Sequence, residues 1–515
     1  MSSSTTPTKQ SQENDLAEGF WKLAVLPDWL LAPLQAGGVS DALRRAVPEF
    51  ASGALILRNV KIKRMTLKDD ACGRWAGTYN LTIEEPGAGK RGVALRGTFT
   101  PPHLRGDTVS ETPGAQRPFG VEGWRCALPE LGLELEPEPP ESQLAAMPQL
   151  TDPEQARVLL ERGINSGNPT YHDLRIRGCT PEMISYKPGS RATIRYHLSY
   201  TPGSSADRHW PETVIAKTYR KDSKGRNAYD GMLVLWHSPL ATGDLATIAE
   251  PLAYIPELKI MVQRPIAGEQ SLEDMLKAAL SADSQEAIEE LYDYMRKAAA
   301  GLAALHQSGV RHGETIELAE RFAEIHELIA RLLVPVPELA GTAEPLLMRL
   351  ESLAATHPPD PGVPTHGTFH PEQVLIDGPK IGLIDFDDFC MAEPALDVGL
   401  FRAAIKDNGM NALDASLAHN REIRVARLEQ LDTIGEVFLA EYERHAPISR
   451  QRVALWEAWS YLRDALHYWT KVKPAEPDNG ALMLESHLRD MGIDLKAHGG
   501  AVAKPEANVA GTIAS

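Results

Sequence analysis

At 515 residues the chain is long enough for roughly two to four domains. Its net charge of -17 excludes the cationic surface that non-specific nucleic-acid binding requires, and fits a neutral or cationic substrate better than an anionic one. Cys72, Cys126, Cys179 and Cys390 are widely spaced and make no zinc pattern, so they read as buried thiols in a reducing compartment.

The first 16 residues, MSSSTTPTKQSQENDL, lack the apolar core of a signal peptide and read as a disordered tail. The most apolar stretch after them, LAVLPDWLLAPL, carries two prolines and an aspartate. No run approaches the about 20 apolar residues of a spanning helix, so a cytoplasmic protein without membrane contact is expected. Residues 17–150 are strand-rich: ALILRNVKIKRMTL, GTYNLTI and GVALRGTF are β-branched and aromatic runs bounded by glycine and proline.

A second strand-rich unit occupies residues 151–265, with one helix predicted in GRNAYDGMLVLWHS. It repeats features of the first. Pro129-Glu130-Leu131 matches Pro256-Glu257-Leu258, and GVALRGTF matches TVIAKTYR, which sets Arg96 against Lys217. Residues 266–472 are helical by periodicity, interrupted by THGTFHPEQVLIDGPKIGLIDFDDF. The remainder, 473–515, reads as a flexible tail with one short helix in ALMLESHLRDMG.

The interruption carries the chemistry. KIGLIDFDDF is an apolar strand ending in acid, and alternation would put Asp385 and Asp387 on one side. Hard cations such as Mg2+ take such carboxylates together with nucleotide phosphates. An Asp-Gly-Pro turn folds HPEQVLI back on IDFDD, which sets the side-chain carbonyl of Gln373 beside Asp385. P-loop, G-x-S-x-G and H-E-x-x-H patterns are absent.

These residues resemble the aminoglycoside phosphotransferase/choline kinase family, whose pattern is H-G-D-x-H-x-x-N, a short hairpin, I-D-F/W and D-P-x-x-D. Here it reads His366-Gly367-Thr368-Phe369-His370-Pro371-Glu372-Gln373, then Ile384-Asp385-Phe386, then Glu393-Pro394-Ala395-Leu396-Asp397. The resemblance implies an α+β, bilobal protein-kinase-like fold, with a β-rich N-lobe and a helical C-lobe. An extra β-rich lobe, a degenerate copy of the N-lobe, would precede it. It further implies ATP and Mg2+ as cofactors and a small-molecule acceptor. Lys217 would contact phosphates, the loop at Gly189 and Ser190 would cover them, and Gln263 and Arg264 would form the adenine-reading hinge. Asp385 and Gln373 would hold metal, and Asp230 would pair with Lys217. Asp397 would brace the catalytic loop from a buried position, with His370 structural.

Two positions depart from the pattern. Gln373 replaces asparagine and keeps the amide; Thr368 stands at the base position and cannot accept a proton as a carboxylate does. The expected activity is therefore Mg-dependent phosphotransfer to a hydroxyl or amino group with weakened base catalysis, in which Asp387, Asp388 or the substrate itself would orient the acceptor. A nucleotide-binding regulatory pseudokinase and an adenylyltransferase are the alternatives. Without a loop or metal acids of its own, the N-terminal lobe is expected to bind no ATP. It would act instead as a cap, a substrate-side wall, or a surface for a homodimer or partner protein.

Overall fold

The computed structural model describes residues 23, 25–106, 118–138, 144, 146–187, 190–201, 209–282, 284–414, 416–417, 420–473 and 479–493. Helix α1 (Ala36–Ala46) packs on β1 (Ile56–Leu67) and β4 (Cys126–Leu128) of a sheet that also holds β2 (Trp75–Glu85), β3 (Gly89–Phe99) and β5 (Leu133–Pro137). Period-two burial explains the long strands: Leu81 and Ile83 on β2, and Leu95 and Phe99 on β3, face inward.

Next come α2 (Pro153–Gly167), β6 (Gly178–Lys187), β7 (Arg191–Ser199), β8 (Thr213–Tyr219), α3 (Asp222–Trp236), β9 (Pro251–Ile255) and β10 (Ile260–Gln263). Asp152 caps α2, accepting from the Gln155 amide at 2.8 Å. The two sheets share a strand order. The first runs β1-β2-β3-β5-β4 and the second β6-β7-β8-β10-β9, antiparallel throughout. Each hairpin turns through Pro-Glu-Leu and then a left-handed residue, Gly132 (φ 61°) in one and Lys259 (φ 54°) in the other.

Register corrects one alignment. Glu134 pairs with Thr98 and Met261 with Lys217, and Glu134 and Met261 stand at the same place after their Pro-Glu-Leu turns. Thr98, not Arg96, therefore occupies the position of Lys217. Arg96 instead pairs with Glu138 at 3.0 Å.

The helical lobe contains α4 (Leu272–Ala282), α5 (Gln285–His306), α6 (Leu318–Leu333) and α7 (Pro337–Thr356). A β-region follows: β11 (Val363–Thr365), β12 (Val374–Asp377), β13 (Lys380–Leu383) and β14 (Cys390–Ala392). Then come α8 (Ala395–Asn411), α9 (Arg421–His445), α10 (Arg450–Thr470), β15 (Lys471–Val472) and α11 (Gly480–Asp490). Helix α11 is the short helix expected in the tail; the loose end expected beyond it and the tail expected at the N-terminus lie outside the described residues.

The first sheet does not stand apart. Strand β15 adds to its edge, pairing Val472 with Met65, and the buried residues of the sheet continue without a break into the helical lobe. The second sheet and α2 enclose a separate core. Among the described residues no helix is long and apolar enough to cross a membrane.

Candidate active site

Strand β11 delivers His366 and Gly367 to the site. Gly367 has φ +85°, and a Cβ there would lie 2.1 Å from the Asp388 carbonyl oxygen, so only glycine fits. Asp397, in the first turn of α8, is fully buried. Its carboxylate accepts from the amides of His366 at 2.6 Å and Gly367 at 2.9 Å. His306 on α5 bridges that carboxylate (Nε2, 3.1 Å) and the Tyr442 hydroxyl on α9 (Nδ1, 2.7 Å). The loop is thus held by two helices far away in sequence.

Thr368 follows, half-buried. Gln373 is buried; its Nε2 donates to the Thr368 hydroxyl at 3.5 Å and its Oε1 accepts from the His370 amide at 3.0 Å. Burial holds the His370 imidazole down at about 4, so it is neutral at physiological pH.

The β12–β13 hairpin returns the chain, with the Ile384 amide donating to the Gln373 carbonyl at 3.0 Å. Asp385 then adopts a left-handed conformation (φ 70°), and residues 386–388 form a 3-10 turn. Strand alternation is therefore not what unites the acids: this turn does. Lys217 on β8 forms an ion pair with Asp385 and lies 3.4 Å from Asp387 Oδ1.

The electrostatics separate the two acids. Burial pushes the Asp385 carboxyl up, but the Lys217 charge and hydrogen bond outweigh it and hold the group at about 2. At Asp387 burial wins, and the neighbouring Asp385 charge adds to it, so its carboxyl is raised despite Lys217. Tyr219 donates to Asp387 Oδ1 at 2.7 Å, while Oδ2 is buried without a hydrogen-bond partner. Arg191 NH1 lies 3.8 Å from that oxygen, and Lys224 holds Asp388 at 3.0 Å.

The other expected residues are distributed less simply. Ser190 is exposed in the β6–β7 turn, its amide bonded to the Lys187 carbonyl at 3.0 Å; Gly189 lies outside the described residues. Gln263 is buried at the end of β10, between Ile215 and Pro251. Arg264 is a correction: its amide donates to the Glu250 carbonyl at 2.9 Å, and its guanidinium contacts the Glu250 carboxylate at 2.8 Å and the Tyr171 hydroxyl at 2.9 Å. It closes the β9–β10 end and offers adenine no free amide. Pro265 has none, so Ile266, which packs against Gly382, is the first hinge residue with an unbonded amide among the described residues. Asp230 is a second correction, since the ion-pair partners of Lys217 are Asp385 and Asp387.

Sequence reasoning missed Tyr219, Arg191, Lys224, His306 and Tyr442. Tyr219 had a signal, since it lies two residues from Lys217 and so on the same strand face. Trp456 and Trp459, at 0% and 3% exposure, are core residues, and the Trp456 indole donates to Glu393 at 2.7 Å.

Two carboxylates, one with an unsatisfied buried oxygen, fit Mg2+, which uses few protein ligands and shares the rest with phosphates and water; the Gln373 side-chain oxygen accepts from the His370 amide and would have to leave it to join them. In keeping with this, no group of three or more His, Cys, Asp or Glu gathers as a metal cage among the described residues.

A five-stranded lobe thus presents Lys217 to a helical lobe that carries a His-Gly loop and two acids. Residues 233–431 match the family described as "Phosphotransferase enzyme family". No curated protein matches the chain. Among solved structures, a choline/ethanolamine kinase family protein from Mesorhizobium loti is 14% identical, over 67% of this chain and 95% of its own, with a TM-score of 0.40. A choline kinase from Cryptosporidium parvum is 12% identical over 66% and 97%, with a TM-score of 0.43. An aminoglycoside phosphotransferase from Streptomyces rimosus is 16% identical over 56% and 92%, with a TM-score of 0.32. At such values the case for function rests on the matched segment and the site itself.

Proposed function

We propose that the protein transfers the terminal phosphoryl group of ATP to a hydroxyl or amino group of a small-molecule acceptor. The observation that carries this is the convergence of Lys217 from the β-lobe with Asp385 and Asp387 from the helical lobe. Phosphoryl transfer passes through a loose transition state, so positioning and charge neutralisation supply most of the catalysis. In this reading the acceptor oxygen or nitrogen forms a bond to the terminal phosphorus, the bond to the bridging oxygen breaks, and ADP leaves. Lys217 steadies the phosphates. Asp385, Asp387 and Gln373 would hold Mg2+, which supplies charge neutralisation when bound. Thr368 can donate or accept a hydrogen bond to the acceptor but cannot take its proton, which passes to solvent water.

The test is a thermal-shift comparison of ATP with and without Mg2+, followed by ATP turnover against pooled hydroxyl- and amine-bearing metabolites. Magnesium-dependent stabilisation and acceptor-dependent ADP release are expected. Stabilisation with no turnover for any pool favours a second reading, a nucleotide-binding regulatory protein, to which the Thr368 hydroxyl at the base position points.

A further inference from the structure

Two groups at the site face each other without partners. Asp387 Oδ2 is buried and accepts no hydrogen bond. Opposite it, 3.8 Å away, stands the Arg191 guanidinium, which makes no hydrogen bond among the described residues. That gap is too long for a hydrogen bond and leaves the donors of the arginine unused.

The backbone position of Arg191 is set by strand register. It opens β7 and is paired in register with Lys187 on one side and Tyr219 on the other. Tyr219 in turn donates to Asp387, so strand, tyrosine and acid are tied together with the root of the arginine beside them. Lys217 is 16% exposed and committed to two carboxylates, whereas the Arg191 side chain is 41% exposed and open to a ligand. A guanidinium matches a phosphoryl group in shape, since its planar fork can donate to two oxygens at once.

We infer that Arg191 is a catalytic residue that contacts the terminal phosphoryl group of the bound nucleotide and neutralises charge on it during transfer. This rests on the phosphotransferase reading above. It gives a site without a carboxylate at Thr368 a compensating source of transition-state stabilisation, because charge on the transferred group is what such a donor relieves.

The test uses the full chain with Arg191→Ala and Arg191→Lys. Binding is measured by calorimetry for a non-hydrolysable ATP analogue and for ADP, both with Mg2+; turnover is measured with and without added guanidinium ion. Loss of a contact to the terminal phosphoryl should weaken the ATP analogue roughly tenfold or more while leaving ADP nearly unchanged. It should lower kcat on the order of 10²–10³-fold. Guanidinium should restore part of the Arg191→Ala rate and leave the parent rate alone, and lysine should rescue only partly. Equal weakening of analogue and ADP, or no change in either, overturns the assignment while the phosphotransferase reading stands. A parent chain that binds neither nucleotide overturns both.

Discussion

The indole nitrogen of Trp75, on the N-terminal sheet, donates to the Trp469 carbonyl at 2.9 Å, at the end of α10 in the helical lobe. Trp469 in turn donates to the Leu23 carbonyl at 2.8 Å, and Arg331 donates to the Leu67 carbonyl at 3.1 Å. The extra lobe is thereby built into the helical lobe. A fragment beginning near residue 150 should consequently lose a face of its core and aggregate, rather than persist as an ATP-binding unit; light scattering of the purified fragment checks this. Trp75→Phe keeps most of the ring and strands one buried carbonyl, so a loss of about 1–3 kcal/mol is expected in denaturant unfolding.

Asp385→Asn removes the charge that Lys217 and a metal both need. Turnover should fall by at least two orders of magnitude, and nucleotide stabilisation should stop depending on Mg2+. Unchanged turnover in this variant would remove the metal assignment.

Thr368→Asp restores a carboxylate at the base position. General-base assistance contributes about 10²–10⁴-fold, so a rate gain within that range is expected for a weakened kinase. An unaltered rate alongside normal nucleotide binding would show that proton removal does not limit this enzyme.

The buried relay from Tyr442 through His306 to Asp397 should act through loop position. His306→Phe removes a polar partner of the Asp397 carboxylate and loosens the His366–Gly367 backbone. A fall in kcat with little change in the KM for ATP is expected, and Tyr442→Phe should be milder. If KM for ATP changes more than kcat, the relay serves the nucleotide cleft instead.

Low pH should destabilise the helical lobe through Glu457. This carboxyl is 1% exposed; burial raises it, but Arg402, His487 and Lys406 outweigh that and hold it at about 2, below its usual value of 4.5. A depressed folded-state value stabilises at pH above the unfolded value, and the contribution is lost as pH falls from about 4.5 towards 2. Thermal unfolding of the parent should weaken over that window. Glu457→Gln should be destabilised by about 1–3 kcal/mol at pH 7, because it takes the nearest carboxylate from buried Arg402 while Lys406 keeps Asp432 at 2.5 Å, and should lose less on acidification.

The local parts of the site were legible. His366, Gly367, Gln373 and Asp385 lie on one short hairpin, where a turn residue and two apolar runs dictate pairing within a few positions. Asp385 and Asp387 do share a side, both reaching Lys217, but not through alternation: the chain leaves the strand at Asp385, in a left-handed conformation that period-two reasoning does not anticipate. Asp230 failed because helix position alone does not say which acid a lysine will reach.

Composition, periodicity and the His-Gly loop determined a β-rich lobe, a helical lobe and the hairpin between Gln373 and Asp385, since each of these is written in residues close together along the chain. The rest was decided by tertiary structure. Lys217 reaches Asp385 across 168 positions, His306 reaches Asp397 across 91, and β15 from the far end of the chain completes the first sheet. Such contacts follow from which apolar faces bury against each other, and one sequence leaves many such packings open until the whole core is assembled.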